Sequence, residues 1–296
     1  MKFALAVDTR VGARPYNEDR VGVVCSQHAV LLVLADGMGG HAHGEVAAQI
    51  AVDVFSELFK KACKAPLQYP RRFLINAGHE AHQAILDHAI RHRMSEVPST
   101  TLVVAIVQQG EVWVAHAGDS RCYQLQDGEV QWRTRDHSHV QRLIDTGFLN
   151  EADAHDHPAR NRIYNCLGAI GDPDIELAEA RPIACGDTLL LCSDGVWGPL
   201  RDAEIARAFV GRTPPMVVPA LLSVAEKRAG SHSDNLSAIA LTLLPEEQFH
   251  LGRDGFVDTS TLGSQVSEFS WQSTLMDSEL AQGLRPTPQA GGAALG

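Results

Sequence analysis

The apolar run Val30-Leu31-Leu32-Val33-Leu34-Ala35 is followed directly by Asp36-Gly37-Met38-Gly39-Gly40-His41. The apolar run is short and rich in branched side chains, which predicts a buried strand. The glycines after it allow the backbone to turn its carbonyl groups inward beside Asp36. Carboxylate and carbonyl oxygens are the ligands that hard cations prefer. A plain turn, in which Asp36 caps the helix that begins near Glu45, would explain the same residues.

Further aspartates stand at the ends of other predicted strands. They occur in Ser193-Asp194-Gly195, in Ser233-Asp234-Asn235 and in Gly118-Asp119-Ser120-Arg121. Each could be a turn residue, but strand ends from distant parts of a chain can meet at one edge of a sheet core. The acidic step Asn17-Glu18-Asp19 and the preceding Arg14 add the parts for phosphoryl chemistry, because a guanidinium can hold two phosphate oxygens at once.

The remaining pattern predicts antiparallel sheets covered by helices, in the α+β class. The predicted strands are Phe3 to Val7, Val21 to Cys25, Val30 to Ala35, Thr101 to Val107, Val112 to Ala117, Arg121 to Leu125, Thr188 to Cys192 and Leu236 to Leu243. The predicted helices are Glu45 to Lys61, Phe73 to His92, Val140 to Thr146, Asp202 to Phe209 and Met216 to Lys227. Gln109-Gly110 and Asp127-Gly128 are typical of hairpin turns.

The composition argues against several classes of protein. The chain of 296 residues has a formal net charge of −11 and no Lys/Arg cluster, which argues against nucleic acid or an anionic membrane as a partner. Its six cysteines form no C-x-x-C pair, so neither a zinc site nor a disulfide framework is indicated. The apolar stretch near Met1 is too short for a signal peptide or a membrane span, and we therefore expect a cytoplasmic protein.

The character of the chain changes after Pro245, where Ser, Thr, Gln and Gly become frequent. Such a composition buries little apolar surface. We therefore predict one domain over residues 1–244 and a flexible C-terminal tail over residues 245–296.

Short motifs in a fixed order run through the predicted domain. They are Arg14-Pro15-Tyr16-Asn17-Glu18-Asp19, Asp36-Gly37-Met38-Gly39-Gly40-His41, Gly44-Glu45, Ser99-Thr100-Thr101, Gly118-Asp119-Ser120-Arg121, Ser193-Asp194-Gly195 and Ser233-Asp234-Asn235. The ordered set resembles the bacterial branch of the type 2C metal-dependent protein phosphatases. The resemblance implies a central antiparallel β-sandwich with helices on both faces. It also implies hydrolysis of phosphoserine and phosphothreonine in proteins.

The resemblance implies a pair of metal ions. Asp36 would bridge both ions, the Gly37 carbonyl would complete one site, and Asp194 and Asp234 would hold the other. Because these ligands are all oxygens, with no Cys or His at fixed spacing, we expect Mn²⁺ or Mg²⁺. Two such ions about 4 Å apart can activate a shared water for direct attack on phosphorus.

Further roles follow from the same resemblance. Glu18 would act through metal-bound water, and Asp119 would join Asp194 at a third, weaker metal site. Arg14 would bind the substrate phosphate, so that Arg14, Asp36 and Asp194 form the expected catalytic set.

The general acid stays open. Many eukaryotic members have a histidine two residues after the bridging aspartate, where this chain has Met38, which cannot donate a proton. Metal-bound water is one candidate donor, and His41 and His43 are weaker ones that could instead cap the following helix.

Other readings remain. The group Asp153, His155, Asp156 and His157 could form a second metal site, but in the family it lies in a variable flap, residues 136–168, beside the cleft. A catalytically weak scaffold or phospho-sensor of the same fold is the alternative function, and a phosphodiesterase or nuclease is less favoured. We expect a monomer that acts on phosphorylated proteins, among them a Ser/Thr kinase or its target.

Overall fold

The computed structural model describes residues 1–38, 43–154, 157–245, 256–258 and 267–271, with the backbone alone for Ala152 and the last two segments. The strands are β1 (Lys2–Arg10), β2 (Arg20–Cys25), β3 (Ala29–Ala35), β4 (Gly37–Met38), β5 (Ser99–Thr100), β6 (Leu102–Gln108), β7 (Glu111–Ala117), β8 (Arg121–Gln126), β9 (Glu129–Arg133), β10 (Glu176–Leu177), β11 (Arg181–Pro182), β12 (Thr188–Cys192), β13 (Leu236–Leu243), β14 (Phe256–Asp258) and β15 (Ser267–Trp271). The α-helices are α1 (Gly44–Ala62), α2 (Pro70–Arg91), α3 (His139–Asp145), α4 (Glu151–Ala154), α5 (Asp194–Trp197), α6 (Asp202–Ala208) and α7 (Pro214–Ala229).

Two antiparallel sheets form the centre of the molecule. One has the strand order β14-β1-β13-β12-β8-β9, and the other has the order β10-β7-β6-β3-β2-β15 with β11 beside β7. Strands β4 and β5 form a separate short pair. The hairpin turns predicted at Gln109-Gly110 and Asp127-Gly128 are present, and all four residues have positive φ angles, as tight hairpin turns between twisted strands require.

Alternation of side chains along the strands produces three apolar layers. In β3, Leu31 and Val33 pack against α1 and α2, whereas Leu32 and Leu34 face the other sheet. Residues of β12 and β13 alternate in the same way, and their outer side chains pack against α5, α6 and α7. The result is a helix-sheet-sheet-helix sandwich, which confirms the predicted fold class.

The prediction missed several short elements. Helix α5 is a single turn, and the two-residue strands β4, β5, β10 and β11 are too short for a periodic pattern to reveal. Strand β9 was implied only by the hairpin turn that precedes it.

Two strands lie within the segment predicted as a tail. Backbone pairing joins β14 to β1 and β15 to β2, so that each adds an outer strand to one of the two sheets. The boundary at residue 244 stays a prediction. Among the residues that the structure describes, no helix is long and apolar enough to cross a membrane.

The layer between the sheets should carry much of the stability. Leu32 is fully buried there, so Leu32→Ala should lower the free energy of unfolding by about 2–5 kcal/mol through lost burial and a residual cavity. Urea unfolding followed by circular dichroism measures the change. Val224→Ala on the exposed face of α7 is the matched control and should change the free energy by less than about 0.5 kcal/mol. Equal effects of both substitutions would contradict this packing.

Candidate metal centre

The predicted site residues gather at one end of the sandwich. Asp36 follows β3, Asp119 follows β7, and Asp194 follows β12, while Glu18 precedes β2 and Asp234 precedes β13. Because neighbouring strands are antiparallel, the end of one strand lies beside the start of the next, so these positions share an edge. The sequence therefore places acidic side chains from five separate segments around one space.

Close backbone contacts place Asp36 and Gly37 against the start of α1. A Cβ atom on Gly37 would lie 2.4 Å from the carbonyl carbon and oxygen of Gly44, and one on Gly44 would lie 2.6 Å from the carbonyl carbon of Gly37. Glycine at both positions permits this approach. The amide of Gly44 in turn donates to Glu18 Oε1 at 3.2 Å, which brings a second carboxylate beside Asp36 and Gly37.

A similar contact brings Asp194 and Asp234 together. A Cβ atom on Gly195 would lie 2.0 Å from the carbonyl oxygen of Asn235, so only glycine allows the two segments to pack this closely. The Asn235 side chain then holds the loop between β1 and β2. Its amide nitrogen donates to the carbonyls of Val11 and Tyr16, and its oxygen accepts from the Glu18 amide at 2.8 Å.

Arg14 extends from this loop to Asp234. Its Nη2 donates to Asp234 Oδ2 at 2.6 Å, although 55% of the Arg14 side chain is exposed. Asp234 Oδ1 accepts from the backbone amide of Asn235 at 2.8 Å. The guanidinium therefore lies at the mouth of the site, within reach of a ligand that approaches from solvent.

Asp119 lies deeper, with 5% of its surface exposed. Its carbonyl accepts from the indole nitrogen of Trp197 at 3.0 Å, which ties the turn to α5 and hence to Asp194. The preceding Gly118 has a φ angle of +111° and packs against Thr101, which favours glycine there.

Burial and mutual repulsion raise the pKa values of these carboxyl groups. Burial is the largest cause in each case, because it disfavours the charged form. The pKa of Asp194 rises to about 7, with Asp234 as the next cause, and the pKa values of Asp36 and Asp119 rise well above their ordinary range, each with Asp194 among the causes. The pKa of Glu18 is also raised, by burial and by Glu45.

Asp19 belongs to the same cluster, although it is not among the predicted site residues. Its Oδ2 accepts from Ser193 Oγ at 2.8 Å, and burial raises its pKa to about 6. Its buried Oδ1 accepts no hydrogen bond from an N–H or hydroxyl group of the described residues. When either Asp19 or Asp36 is protonated, the two carboxyl groups can share that proton in a hydrogen bond. Strand parity could have revealed it, because Asp19 lies on the face of Val21 and Val23, which point between the sheets.

The donor set fits divalent cations. It consists of oxygens alone, its carboxylates repel one another when they are charged, and Asp19 Oδ1 accepts no hydrogen bond from an N–H or hydroxyl group of the described residues. Among the described residues, only His116, His137 and Glu176 place three potential ligand atoms within 4.8 Å of one another. No three of the described aspartates bring one carboxylate oxygen each within that distance of one another.

One candidate general acid and two residues of the alternative metal site lie outside the described residues. His41, a candidate general acid, and His155 and Asp156 of the alternative second metal site are among the residues that the structure does not describe. In the part of the chain that is described, Asp153 and His157 join no group of three potential metal ligands.

The sequence model described as "Protein phosphatase 2C" matches residues 11–239. The chain belongs to the protein phosphatase 2C family. It is 35% identical over 194 residues to the serine/threonine phosphatase stp of Listeria innocua, which covers 65% of this chain and 77% of that relative. The predicted family, fold class and phosphatase activity are therefore confirmed.

Solved protein phosphatase 2C structures share this fold. The serine/threonine phosphatase Stp1 of Staphylococcus aureus superposes with a TM-score of 0.75 at 31% identity, covering 81% of this chain and 95% of that one. The catalytic domain of the serine/threonine protein phosphatase PstP, in complex with two manganese ions, superposes with a TM-score of 0.71 at 30% identity, covering 82% of this chain and 99% of that one.

The raised pKa values make the stability of the metal-free protein depend on pH. Asp19 and Asp194 hold protons in the folded state up to about pH 6 and 7, whereas in the unfolded chain they lose them near their ordinary pKa of 3.8. The folded state therefore binds more protons than the unfolded state. The contribution of these two carboxyl groups to the free energy of unfolding is fully present below their unfolded pKa, and it is lost as the pH rises through their folded pKa.

We expect the chelator-treated protein to have a lower free energy of unfolding at about pH 7.5 than at about pH 5. Asp194→Asn should reduce this difference, and Mn²⁺ added at the higher pH should restore stability, because it binds the folded state. Urea titrations at both pH values measure the effect. Asp87→Asn on the exposed face of α2 is the control and should leave the difference unchanged. A metal-free protein that becomes more stable as pH rises through this range would refute the prediction.

Proposed function

We propose that this protein hydrolyses phosphoserine and phosphothreonine in phosphorylated proteins with two Mn²⁺ or Mg²⁺ ions at this centre. The observation that carries the proposal is the convergence of Asp36, Asp194 and Asp234, from three separate strand ends, beside the exposed guanidinium of Arg14. Carboxylates supply cation ligands and the guanidinium supplies a phosphate ligand, so one space can receive both.

The proposed cation ligands divide into two sets. Asp36 and the Gly37 carbonyl would serve one ion, and Asp36, Asp194 and Asp234 would serve the other, with Asp36 shared. Asp119 together with Asp194 would hold a third, weaker ion. When bound, such ions lower the pKa of a water molecule and neutralise charge on phosphoryl oxygens.

Glu18 and Asp19 orient the attacking water through hydrogen bonds in this scheme. Glu18 is held by the Gly44 amide, and Asp19 is held by Ser193, so each carboxylate keeps one oxygen directed by a fixed donor. Their remaining oxygens can accept hydrogen bonds from water within the cluster and orient it for attack on phosphorus.

Arg14 orients the phosphate. Its planar guanidinium can donate two parallel hydrogen bonds to phosphoryl oxygens, a geometry that lysine cannot reproduce. Because Arg14 contacts Asp234 through Nη2, it needs to move only its exposed side chain to reach a substrate at the mouth of the site.

Of the described candidates near the site, neither Met38 nor His43 is placed to act as the general acid. Met38 has no proton to donate, and the His43 ring faces Glu45, with Nδ1 at 3.2 Å from Oε1 and 64% of the side chain exposed. Cations held by Asp36, Asp194 and Asp234 would supply acidified water as a proton source for the leaving serine or threonine oxygen.

The alternative of a catalytically weak scaffold finds no support in the residues. Loss of a ligand aspartate would favour it, but Asp36, Asp119, Asp194 and Asp234 are all present and face the same space. The net charge of −11 likewise disfavours a nuclease.

The natural substrates are phosphoproteins, and a Ser/Thr kinase or its target is the partner that we propose. Affinity capture with Asp194→Asn, followed by mass spectrometry of phosphopeptides, would identify them. Monomeric state stays a prediction, and light scattering of the purified chain would measure it.

Turnover should require the aspartates and the cations. With para-nitrophenyl phosphate and a phosphothreonine peptide, we expect activity with Mn²⁺ and none with excess chelator. Asp36→Asn and Asp194→Asn should abolish turnover, whereas Asp234→Asn should mainly raise the Mn²⁺ concentration needed. Asp87→Asn, an exposed carboxylate on α2, is the matched control. Near-normal turnover by Asp36→Asn would contradict the assignment.

Arg14 should act on substrate rather than on cations. Because hydrogen bonds between charged groups contribute about 1.5–3 kcal/mol, Arg14→Ala should lower kcat/KM for the phosphopeptide about 10- to 100-fold. Arg14→Lys should recover only part of the loss. Arg212→Ala, an exposed arginine after α6, is the control. Equal kcat/KM for Arg14→Ala and the unaltered protein would remove Arg14 from the proposed role.

A further inference from the structure

A histidine cluster lies behind the Asp119 turn. His116 and His137 are both buried, their rings stack with centroids 4.6 Å apart, and Glu176 lies beside them. One potential ligand atom from each of these three residues lies within 4.8 Å of the other two, a spacing that metal sites share. Their hydrogen bonds decide between a metal site and a structural network.

The proton of His137 can be placed from its neighbours. Its Nδ1 accepts from the side-chain amide of Asn165 at 2.6 Å and from the backbone amide of Gly118 at 3.3 Å. Asn165 cannot reverse its amide without losing both bonds to the backbone of Asp174. The His137 proton therefore lies on Nε2 and is donated to Glu176 Oε2 at 3.0 Å.

This proton assignment disfavours a metal. A metal on His137 Nε2 would force the proton onto Nδ1, where it would face two N–H donors. His116 donates Nε2–H to the carbonyl of Arg135 at 2.7 Å and has a buried Nδ1 with no donor among the described residues. His116 Nδ1 is then the one ring nitrogen of the pair that is available to a metal, which is too few for a metal site. We therefore look for the role of His137 in its hydrogen bonds to the backbone.

Those bonds hold the turn that presents Asp119. The His137 amide donates to the Gly118 carbonyl at 2.9 Å, while the Gly118 amide donates to His137 Nδ1. Both polar backbone groups of Gly118 are thus bound by one residue. Since Gly118 immediately precedes Asp119, the direction of the Asp119 carboxylate depends on this pairing.

His137 also fastens the base of the flap, residues 136–168. Its carbonyl accepts from the Tyr164 amide at 2.9 Å, and Asn165 binds its ring, so the beginning and the end of the flap meet at this residue. Glu176 of β10 then ties the ring to the sheet that contains β7.

We propose that His137 is a positioning residue that joins the base of the flap to the Asp119 turn and thereby sets the affinity of the third cation. The inference rests on the proposed function in one respect, which is that Asp119 is a cation ligand. In this role His137 needs a hydrogen-bond acceptor at the Nδ1 position, where it binds the Gly118 amide. The donor at the Nε2 position, which binds Glu176, matters less.

A pair of substitutions separates these two positions. His137→Asn places its amide oxygen near the Nδ1 position and keeps an acceptor for Gly118, whereas His137→Gln extends its amide toward the Nε2 position and leaves the Gly118 amide without a partner. His92→Asn, an exposed histidine after α2, is the control for the change of residue type.

Two measurements on the full chain test the proposal. Isothermal titration calorimetry with Mn²⁺ measures the affinity of the weakest site, and the loss of that site in Asp119→Asn identifies it. Hydrogen exchange of the metal-free protein measures how well the Gly118 amide is protected. We expect His137→Gln to weaken the weakest site by about 10-fold or more, as loss of residues that support metal ligands does, and to speed Gly118 exchange. His137→Asn and His92→Asn should retain the affinity and the protection.

The outcomes are distinguishable. Unchanged affinity and unchanged Gly118 exchange in a folded His137→Gln would overturn the proposal. Two Mn²⁺ ions instead of three in the unaltered protein would also overturn it, while the proposed phosphatase function would stand on the tight pair. If His137→Gln does not fold, Asn165→Ala tests the proposal instead, at a position that is partly exposed. This substitution removes the hydrogen bond from the flap to the His137 ring and should weaken the same cation site.

Discussion

Repulsion among buried carboxylates is the constraint around which this end of the molecule is organised. Asp19, Asp36, Asp119 and Asp194 lie together at one end of the two sheets, and Asp19, Asp119 and Asp194 each raise the pKa of at least one of the others. Such an arrangement costs free energy in the metal-free chain. The apolar layers between and outside the sheets supply the stability that offsets this cost, and divalent cations would relieve it.

Backbone packing, rather than side-chain packing, brings the acidic segments so close. Gly37 against Gly44 and Gly195 against Asn235 are contacts in which even a methyl group would overlap main-chain atoms. The glycines after Asp36 and Asp194 are therefore as necessary for the position of the carboxylates as the aspartates themselves.

Much of this could be predicted from the sequence, because strand ends carry both the apolar pattern and the aspartates. The eight predicted strands and five predicted helices are present, with shifts at their ends. Local patterns could not reveal the outer strands β14 and β15, whose pairing depends on partners far away in the chain. Asp19 was missed for a different reason, since its importance comes from burial beside Asp36. The His137 network depends on contacts across three separate segments, which no spacing in the sequence encodes.

The contact between Arg14 and Asp234 has a consequence for the order of events. While this hydrogen bond is formed, Arg14 Nη2 and Asp234 Oδ2 bind each other and not a phosphate or a cation. A cation that takes Asp234 releases Arg14, and an anion that takes Arg14 releases Asp234. The two ligands therefore help each other by removing the same internal ion pair, and thermodynamic reciprocity requires that each tighten the binding of the other by the same factor. Free phosphate should accordingly be a poor ligand of the cation-free chain.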